Sequence, residues 1–243
     1  MSMPSPEQDR VLRSVLQRVA ATKAGHATPV VVFDLDATLY DNRPRTLAIL
    51  AEYRQGTNDP ALSAALDTVA LERVDYLLVD TLRRCGITHT EHVKEITRFW
   101  HERFFVDSHI RHDVPLAGAA AFVTACHDAG AIVVYLTGRD VPGMFLGTVA
   151  SLRDCGFPIG IAGVELVLKP DAHLADEAFK RGAIPSLARL GPMVAFFDNE
   201  PANCNVAQAL CPAATVVLLD TQKVPHAPAR DPGVEVVRDF TLA

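Results

Sequence analysis

Short apolar runs, separated by segments with helical periodicity, limit the possible fold of this sequence more than any other feature. Each run has the length of a strand that is buried on both faces of a sheet. The runs cover residues 30–33, 131–136, 193–197 and 215–219, with a weaker one at 164–168. Helical patterns cover residues 116–129, 143–155, 174–190 and 201–210. Because strands and helices alternate, the sequence predicts right-handed βαβ units and a doubly wound, Rossmann-like α/β fold with a parallel sheet.

Residues 43–112 interrupt this alternation with successive amphipathic helical patterns and no strand. An insertion that directly follows a core strand lies above the carboxyl end of that strand, where open α/β sheets bind their ligands. We therefore expect a small, all-helical cap, with Trp100, Phe104 and Phe105 in its own core. The predicted organisation is an N-terminal helix that packs on the core, a core in two segments, and the cap, covering residues 1–28, 29–42 with 113–243, and 43–112, respectively.

The N-terminal segment carries the signals of a helix start. Ser5 is suited to the N-cap, Pro6 to the first helical position, and Gln8 to the glutamine position of a capping box. Apolar residues then follow at helical spacing until the chain reaches Gly25. The pattern predicts a leading amphipathic helix.

Composition narrows the class of protein. The 243 residues are 49% hydrophobic and 21% charged, which suits a globular α/β core with a modest second module. No run approaches the roughly 18 apolar residues of a membrane span, and the polar, acidic N-terminus lacks the features of a secretory signal, so a cytoplasmic protein is expected.

The net charge of -6 disfavours nucleic acid as a partner. Five scattered cysteines without a CxxC pair argue against a disulfide framework or a zinc site.

Two carboxylates stand directly after the first apolar run. Asp34 and Asp36 are two residues apart, so both side chains can point into one crevice at the end of a strand. Like charges at that distance raise at least one pKa unless a cation intervenes. This suits one carboxylate as a nucleophile or metal ligand and the other as a proton donor. The alternative is an acidic turn without a chemical role.

Polar groups also follow the second run. Thr137 offers a hydroxyl, Gly138 an unhindered backbone N–H, and Arg139 a guanidinium, and these groups suit a phosphate oxygen. The alternative is an ordinary strand-to-helix turn that uses Thr and Gly for their geometry.

A further acid ends the third strong run. Asp198 could share a hard divalent cation with Asp34, and Mg²⁺ is the natural choice for oxygen ligands. An aspartate in this position could instead cap the following helix.

Four segments together resemble the ordered motifs of the haloacid dehalogenase superfamily, in its phosphatase branch. They are VVFDLDATL, YLTGR, a lysine, and FFDNEPANCN, and the match spans roughly residues 29–220. Any one of these motifs is a weak signal, whereas four in order at the ends of predicted strands are specific. The helical insertion resembles the cap that many members carry between their first and second motifs.

The resemblance implies a mechanism. Asp34 would attack phosphorus to give an aspartyl-phosphate, and Asp36 would protonate the leaving oxygen and then activate water. The backbone carbonyl of Asp36 would join Asp34 and Asp198 around Mg²⁺. Thr137 and the Gly138 amide would hold the transferring phosphoryl group, while a lysine neutralises charge on its oxygens.

Two lysines are candidates for that last role. Lys180 is preferred because it stands 18 residues before Asp198, near the start of the helix that leads to the last motif, where the family often places this group. Lys169 is the second choice, and it could instead cap the preceding strand or contact the substrate.

The sequence departs from the family pattern after Asp198. Many members have a second acid there, whereas this chain has Asn199 and Asn203, which could weaken metal binding. Glu200 could compensate, or the amides could hold metal-bound waters. Arg139, Arg43 and Arg45 are candidates to face the leaving group of the substrate.

The function that the sequence predicts is a Mg²⁺-dependent phosphatase that hydrolyses a small phosphomonoester through an aspartyl-phosphate. One alternative is a phosphotransferase or mutase that uses the same intermediate. Another is a non-catalytic protein that binds a phosphorylated ligand. The expected partner in each case is a small phosphorylated molecule.

Overall fold

In a computed structural model, which describes residues 5–243, the chain folds around a six-stranded sheet with the order β5-β4-β1-β6-β7-β8. The strands are β1 (Val30–Phe33), β2 (Tyr40–Asp41), β3 (Val114–Pro115), β4 (Ile132–Asp140), β5 (Val164–Lys169), β6 (Met193–Asp198), β7 (Thr215–Leu219) and β8 (Glu235–Val237). Every neighbouring pair in the large sheet is parallel, while β2 and β3 form a separate antiparallel pair. The predicted α/β fold with a parallel sheet is confirmed.

Helices precede β1, form the insertion between β2 and β3, and connect the later strands of the large sheet. They are α1 (Pro6–Ala24), α2 (Arg43–Gly56), α3 (Pro60–Leu66), α4 (Leu78–Arg84), α5 (Thr90–Phe104), α6 (Asp107–Ile110), α7 (Ala119–Asp128), α8 (Val141–Asp154), α9 (Asp176–Leu187) and α10 (Pro201–Leu210), with a 3-10 turn at Leu71–Arg73. The four predicted core helices all form, with ends displaced by at most three residues. Among the residues described, no helix is both long enough and apolar enough to cross a lipid bilayer.

Side chains alternate between the two faces of the sheet. Val31 and Phe33 belong to the hydrophobic cluster that includes residues of α1 and α7, whereas Val30 and Val32 belong to the cluster with α9 and α10. Because both faces of β1 are covered, its uninterrupted apolar run is explained. Each aliphatic side chain buried in this way contributes about 1.5–3 kcal/mol to folding.

Strand β4 extends further than the sequence predicts. It continues through Thr137 to Asp140, with an irregular register against β5 between those two residues. Asp140 then caps α8, since its Oδ1 accepts a hydrogen bond of 2.8 Å from the Gly143 amide. The strand-to-helix turn considered for residues 137–139 is therefore wrong, and these residues lie within the strand.

The N-terminal helix begins as predicted, but one detail differs. The Ser5 hydroxyl accepts a hydrogen bond from the Gln8 amide at 3.1 Å, as an N-cap should. The Gln8 side chain does not complete a capping box. Its Nε2 donates to Asp239 Oδ1 at 2.7 Å, and its Oε1 accepts from the Arg238 amide at 3.1 Å. A tertiary partner has replaced the local one, and Gln8 fastens the C-terminal segment to α1.

The insertion between β2 and β3 buries apolar side chains of its own. Its cluster consists of Leu50, Leu62, Leu66, Leu78, Leu82, Ile87 and Ile96. Trp100 packs against this cluster, as expected, whereas Phe104 and Phe105 are not part of it. This cluster is separate from the two clusters of the large sheet, and the division of the chain into a core and a cap at residues 43–112 stays a prediction. The pairing of Tyr40 with Pro115 brings both ends of the insertion together.

Candidate active site

Charged side chains converge where β4, β1 and β6 end. The three strands are neighbours and run in parallel, so the residues that follow them meet at one edge of the sheet. A cavity of about 400 Å³ opens at this edge. Its volume is that of a typical small-ligand site. The core supplies its floor, and the insertion supplies the opposite wall.

A buried lysine links two carboxylates on the floor. Lys180 Nζ donates to Asp34 Oδ1 at 2.8 Å and to Asp198 Oδ2 at 2.6 Å, and no member of this trio is more than 5% exposed. Burial raises the pKa of Asp34 to about 7; Lys180 opposes that shift and Asp198 reinforces it. Burial works to lower the pKa of Lys180, but the two carboxylates together raise it above its usual value.

The trio has the chemistry of a cation site. Two buried carboxylates share one ammonium group, which leaves an excess of negative charge that a hard divalent cation would offset. Asp198 also accepts hydrogen bonds from the Glu200 amide at 2.8 Å and the Asn203 side chain at 3.1 Å. Within residues 5–243, no three His, Cys, Asp or Glu side chains gather in a metal-binding arrangement. The predicted set of Asp34, Asp198 and the Asp36 carbonyl uses only two carboxylates, and it stays a prediction.

The remaining residues after β6 hold the floor to a neighbouring loop. Asn199 Nδ2 donates to the Gln222 carbonyl at 2.6 Å, and the Glu200 carboxylate accepts from the Val224 amide at 3.0 Å. Burial raises the pKa of Glu200. Both side chains line the cavity, but the Glu200 carboxylate is engaged by that loop. Whether Glu200 compensates for the missing second acid stays a prediction.

The Asp36 carboxylate bonds two arginines and not Lys180. Its Oδ2 accepts from Arg139 Nε at 2.9 Å, and its Oδ1 accepts from Arg139 Nη2 at 2.9 Å and Arg45 Nη2 at 3.0 Å. Burial alone would raise the pKa of Asp36, but the two guanidinium groups outweigh that effect and hold the pKa well below its usual range. Asp36 is therefore an ionised carboxylate in this structure.

A second acid, Asp113, completes a buried cluster with these arginines. It accepts from Arg139 Nη2 at 2.8 Å and Arg45 Nε at 2.8 Å. Both arginines are almost fully buried, and each lines the cavity. We call Asp36, Arg45, Asp113 and Arg139 the arginine–aspartate cluster. The sequence does not single out Asp113, because only the packed fold shows that two buried guanidiniums need a second carboxylate.

The third arginine considered from the sequence lies elsewhere. Arg43 forms its ion pair with Asp41 at 2.7 Å, and it does not line the cavity.

Of the predicted phosphate-binding pair near the end of β4, Thr137 and Gly138, only one residue lines the cavity. Gly138 lines it, and a side chain at this position would collide with the Asp176 carboxylate. Thr137 is fully buried behind the lining, and its Oγ1 accepts from the Arg139 amide at 3.2 Å. Asp176, at the start of α9, also lines the cavity and was missed.

The structure separates the two candidate lysines. Lys169 Nζ donates to Asp176 Oδ1 at 2.7 Å and to the Leu174 carbonyl at 3.0 Å, so it fastens the loop between β5 and α9. It does not line the cavity, whereas Lys180 does. Of the two, Lys180 is the one whose position fits contact with a phosphoryl group.

The wall opposite the floor is apolar. We call its members the apolar wall; they are Val74, Tyr76, Leu77, Trp100, Phe104 and Phe105. Burial and the neighbouring Glu200 carboxylate raise the pKa of Tyr76 to about 12, so its phenol stays protonated. The expectation that Phe104 and Phe105 form only an internal core of the cap is wrong. A helical pattern predicts that one face is apolar, but it does not say whether that face meets another helix or a cavity.

No protein-family model matches the chain, and no curated protein matches its sequence. Solved structures do match. A candidate phosphatase from Clostridium difficile is 14% identical with a TM-score of 0.52, over 79% of this chain and 85% of its own.

Two further structures cover more of the chain. A haloacid dehalogenase-like hydrolase from Streptococcus pneumoniae is 10% identical with a TM-score of 0.51, over 88% of this chain and 94% of its own. Protein Tyrosine Kinase A of Mycobacterium tuberculosis is 15% identical with a TM-score of 0.52, over 89% and 96%. At these identities the likeness concerns the fold. The chain has the fold of the haloacid dehalogenase-like hydrolases.

Proposed function

We propose that this protein is a Mg²⁺-dependent phosphatase that hydrolyses a small phosphomonoester through an aspartyl-phosphate on Asp34. The observation that carries the proposal is the buried ammonium of Lys180, which is held between Asp34 and Asp198 on the floor of the cavity. A carboxylate, a fixed cation and a ligand-sized cavity at the carboxyl ends of parallel strands are the parts that phosphoryl transfer requires.

In the first step, an Asp34 oxygen forms a bond to phosphorus as the bond from phosphorus to the leaving oxygen breaks. Lys180 lies beside the attacking carboxylate, where its charge offsets that of the phosphoryl oxygens. Gly138 lines the cavity, and its backbone N–H would hold the transferring phosphoryl group. Bound Mg²⁺, held by Asp34 and Asp198, would supply further positive charge for the same purpose.

Asp36 serves the two halves of the reaction differently. As an ionised carboxylate it is ready to accept a proton from the water that attacks the aspartyl-phosphate. Donation of a proton to the leaving oxygen requires that its pKa rise first. A bound phosphate dianion acts in that direction, because a nearby negative charge disfavours a second one. Arg45 and Arg139 fix the orientation of Asp36 throughout.

Phosphate release from a panel of phosphomonoesters in the presence of Mg²⁺ tests the proposal. Asp34→Asn should lower kcat by more than about 10³-fold, and EDTA should abolish turnover. Asp128→Asn, at an exposed carboxylate on α7, is the matched control and should retain full activity. Full activity of Asp34→Asn would contradict the mechanism.

The same assay separates the alternatives. Transfer of phosphate to an added alcohol, in place of its release, would identify a phosphotransferase. Thermal stabilisation by a phosphorylated ligand that is never turned over would identify a binding protein.

A further inference from the structure

Large side chains of the apolar wall are partly exposed to solvent. Tyr76 is 46% exposed, Leu77 is 45% exposed and Phe105 is 42% exposed, and all three line the cavity. Apolar surface in contact with water is a source of binding free energy for any ligand group that covers it. The wall therefore favours an apolar ligand group over a hydrated one.

Aromatic contacts hold the centre of this wall in place. The rings of Trp100 and Phe104 are stacked with centroids 4.4 Å apart, and Phe105 meets Phe104 edge-to-face at 5.0 Å. The Arg45 guanidinium lies over the Phe104 ring at 4.4 Å, and Trp100 Nε1 donates to Thr46 Oγ1 at 3.1 Å. Fixed rings of this kind offer faces and edges against which another ring can pack.

Few polar groups on this side are free to bind hydroxyls. Thr46 already accepts from Trp100, and Asp75 Oδ1 accepts from Arg84 at 2.7 Å. Thr97 Oγ1 and Asp75 Oδ2 lack partners in the described part of the chain, but both atoms are shielded from solvent. A sugar carries several hydroxyls, and each one that is buried without a partner weakens binding. With the Tyr76 hydroxyl as the polar group of the wall itself, this side of the cavity can satisfy few of the hydroxyls of a sugar.

We propose that the substrate is a phosphomonoester whose alcohol part is apolar and about as large as an aromatic ring, with this part seated against the apolar wall and the phosphate on the floor. The inference rests on the proposed function, because the floor must bind the phosphate. The cavity of about 400 Å³ has room for both parts.

Benzyl phosphate and ribose 5-phosphate test this inference, since both are esters of primary alcohols. We expect kcat/KM to be at least about tenfold higher for benzyl phosphate, with most of the difference in KM. Leu77→Asn should reduce that preference by about tenfold. Leu146→Asn is the matched control, because Leu146 is 70% exposed on α8 and lies outside the cavity; it should leave the preference unchanged.

The possible outcomes separate this inference from the proposed function. Equal or faster turnover of ribose 5-phosphate would overturn the apolar substrate while leaving the phosphatase intact. Absence of turnover with every ester would overturn the phosphatase, and calorimetry with benzylphosphonate and methylphosphonate in Mg²⁺ would then decide the role of the wall. Tighter binding of benzylphosphonate, reduced by Leu77→Asn, would support the inference. Equal binding of the two phosphonates would contradict it.

Discussion

The floor and the wall of the cavity differ in solvent exposure and in polarity. On the floor, Asp34, Lys180 and Asp198 are nearly inaccessible to solvent, and each forms a charged hydrogen bond with a defined partner. On the wall, Tyr76 and Leu77 are large and almost half exposed, and they present an aromatic ring and an aliphatic side chain. The floor is organised before a ligand arrives, as electrostatic catalysis requires, whereas the wall offers surface that only a ligand can cover. Under the proposed function, the chemistry and the choice of substrate therefore belong to different segments of the chain.

The largest expected effect concerns the floor. Lys180→Met removes the cation beside Asp34, and kcat should fall by about 10³-fold. Lys169→Met removes a similar charge that does not itself line the cavity but bonds Asp176 and the Leu174 carbonyl, and it should cost less than about tenfold. Steady-state kinetics of both variants, with thermal melts to establish folding, make the comparison. A greater loss of kcat in Lys169→Met than in Lys180→Met would show that Lys169, and not Lys180, contacts the phosphate.

The arginine–aspartate cluster, where core and insertion meet, gives the next largest effect. Asp113→Asn leaves two buried guanidiniums with one carboxylate, and the free energy of unfolding should fall by about 3 kcal/mol. Asp80→Asn breaks only an exposed ion pair with Arg83 and should cost less than about 1 kcal/mol. Urea unfolding of both variants measures the difference. Equal losses would mean that the cluster does not hold the insertion to the core.

A smaller effect is expected in the way the free energy of unfolding depends on pH, through Asp34 on the floor. Burial raises the pKa of Asp34 from 3.8 to about 7, so in metal-free protein the folded state keeps a proton that the unfolded chain releases. The free energy of unfolding should therefore fall as pH rises between these two values. Asp34→Asn should remove this slope and make the metal-free protein more stable than wild type at neutral pH. Urea titrations at several pH values, in the presence of EDTA, measure it. Identical slopes in wild type and Asp34→Asn would contradict the raised pKa of Asp34.

Local pattern was sufficient to predict the floor. Asp34 and Asp198 each stand at the end of an apolar run, and parallel strands bring such ends together. The spacing of Lys180 from Asp198 supplied the third member. These inferences need only periodicity, strand direction and a resemblance in motifs.

The remaining parts of the site depend on contacts that no local pattern encodes. Asp113 is 68 residues from Arg45 and 26 from Arg139, so its role follows from the packed fold. Gln8 has the spacing of a capping box, yet a residue 231 positions away takes its side chain. The direction in which Phe105 points depends on how the insertion rests over the sheet, which periodicity does not determine.

Detection of the covalent intermediate is the most direct test of the central claim. Protein that is turning over substrate in Mg²⁺ is quenched in acid and reduced with borohydride, which converts a phosphorylated aspartate to homoserine. Peptide mass spectrometry should find homoserine in place of Asp34, and it should find no change at Asp36 or Asp198. Rapid turnover without modification of Asp34, or with modification of another carboxylate, would contradict Asp34 as the nucleophile.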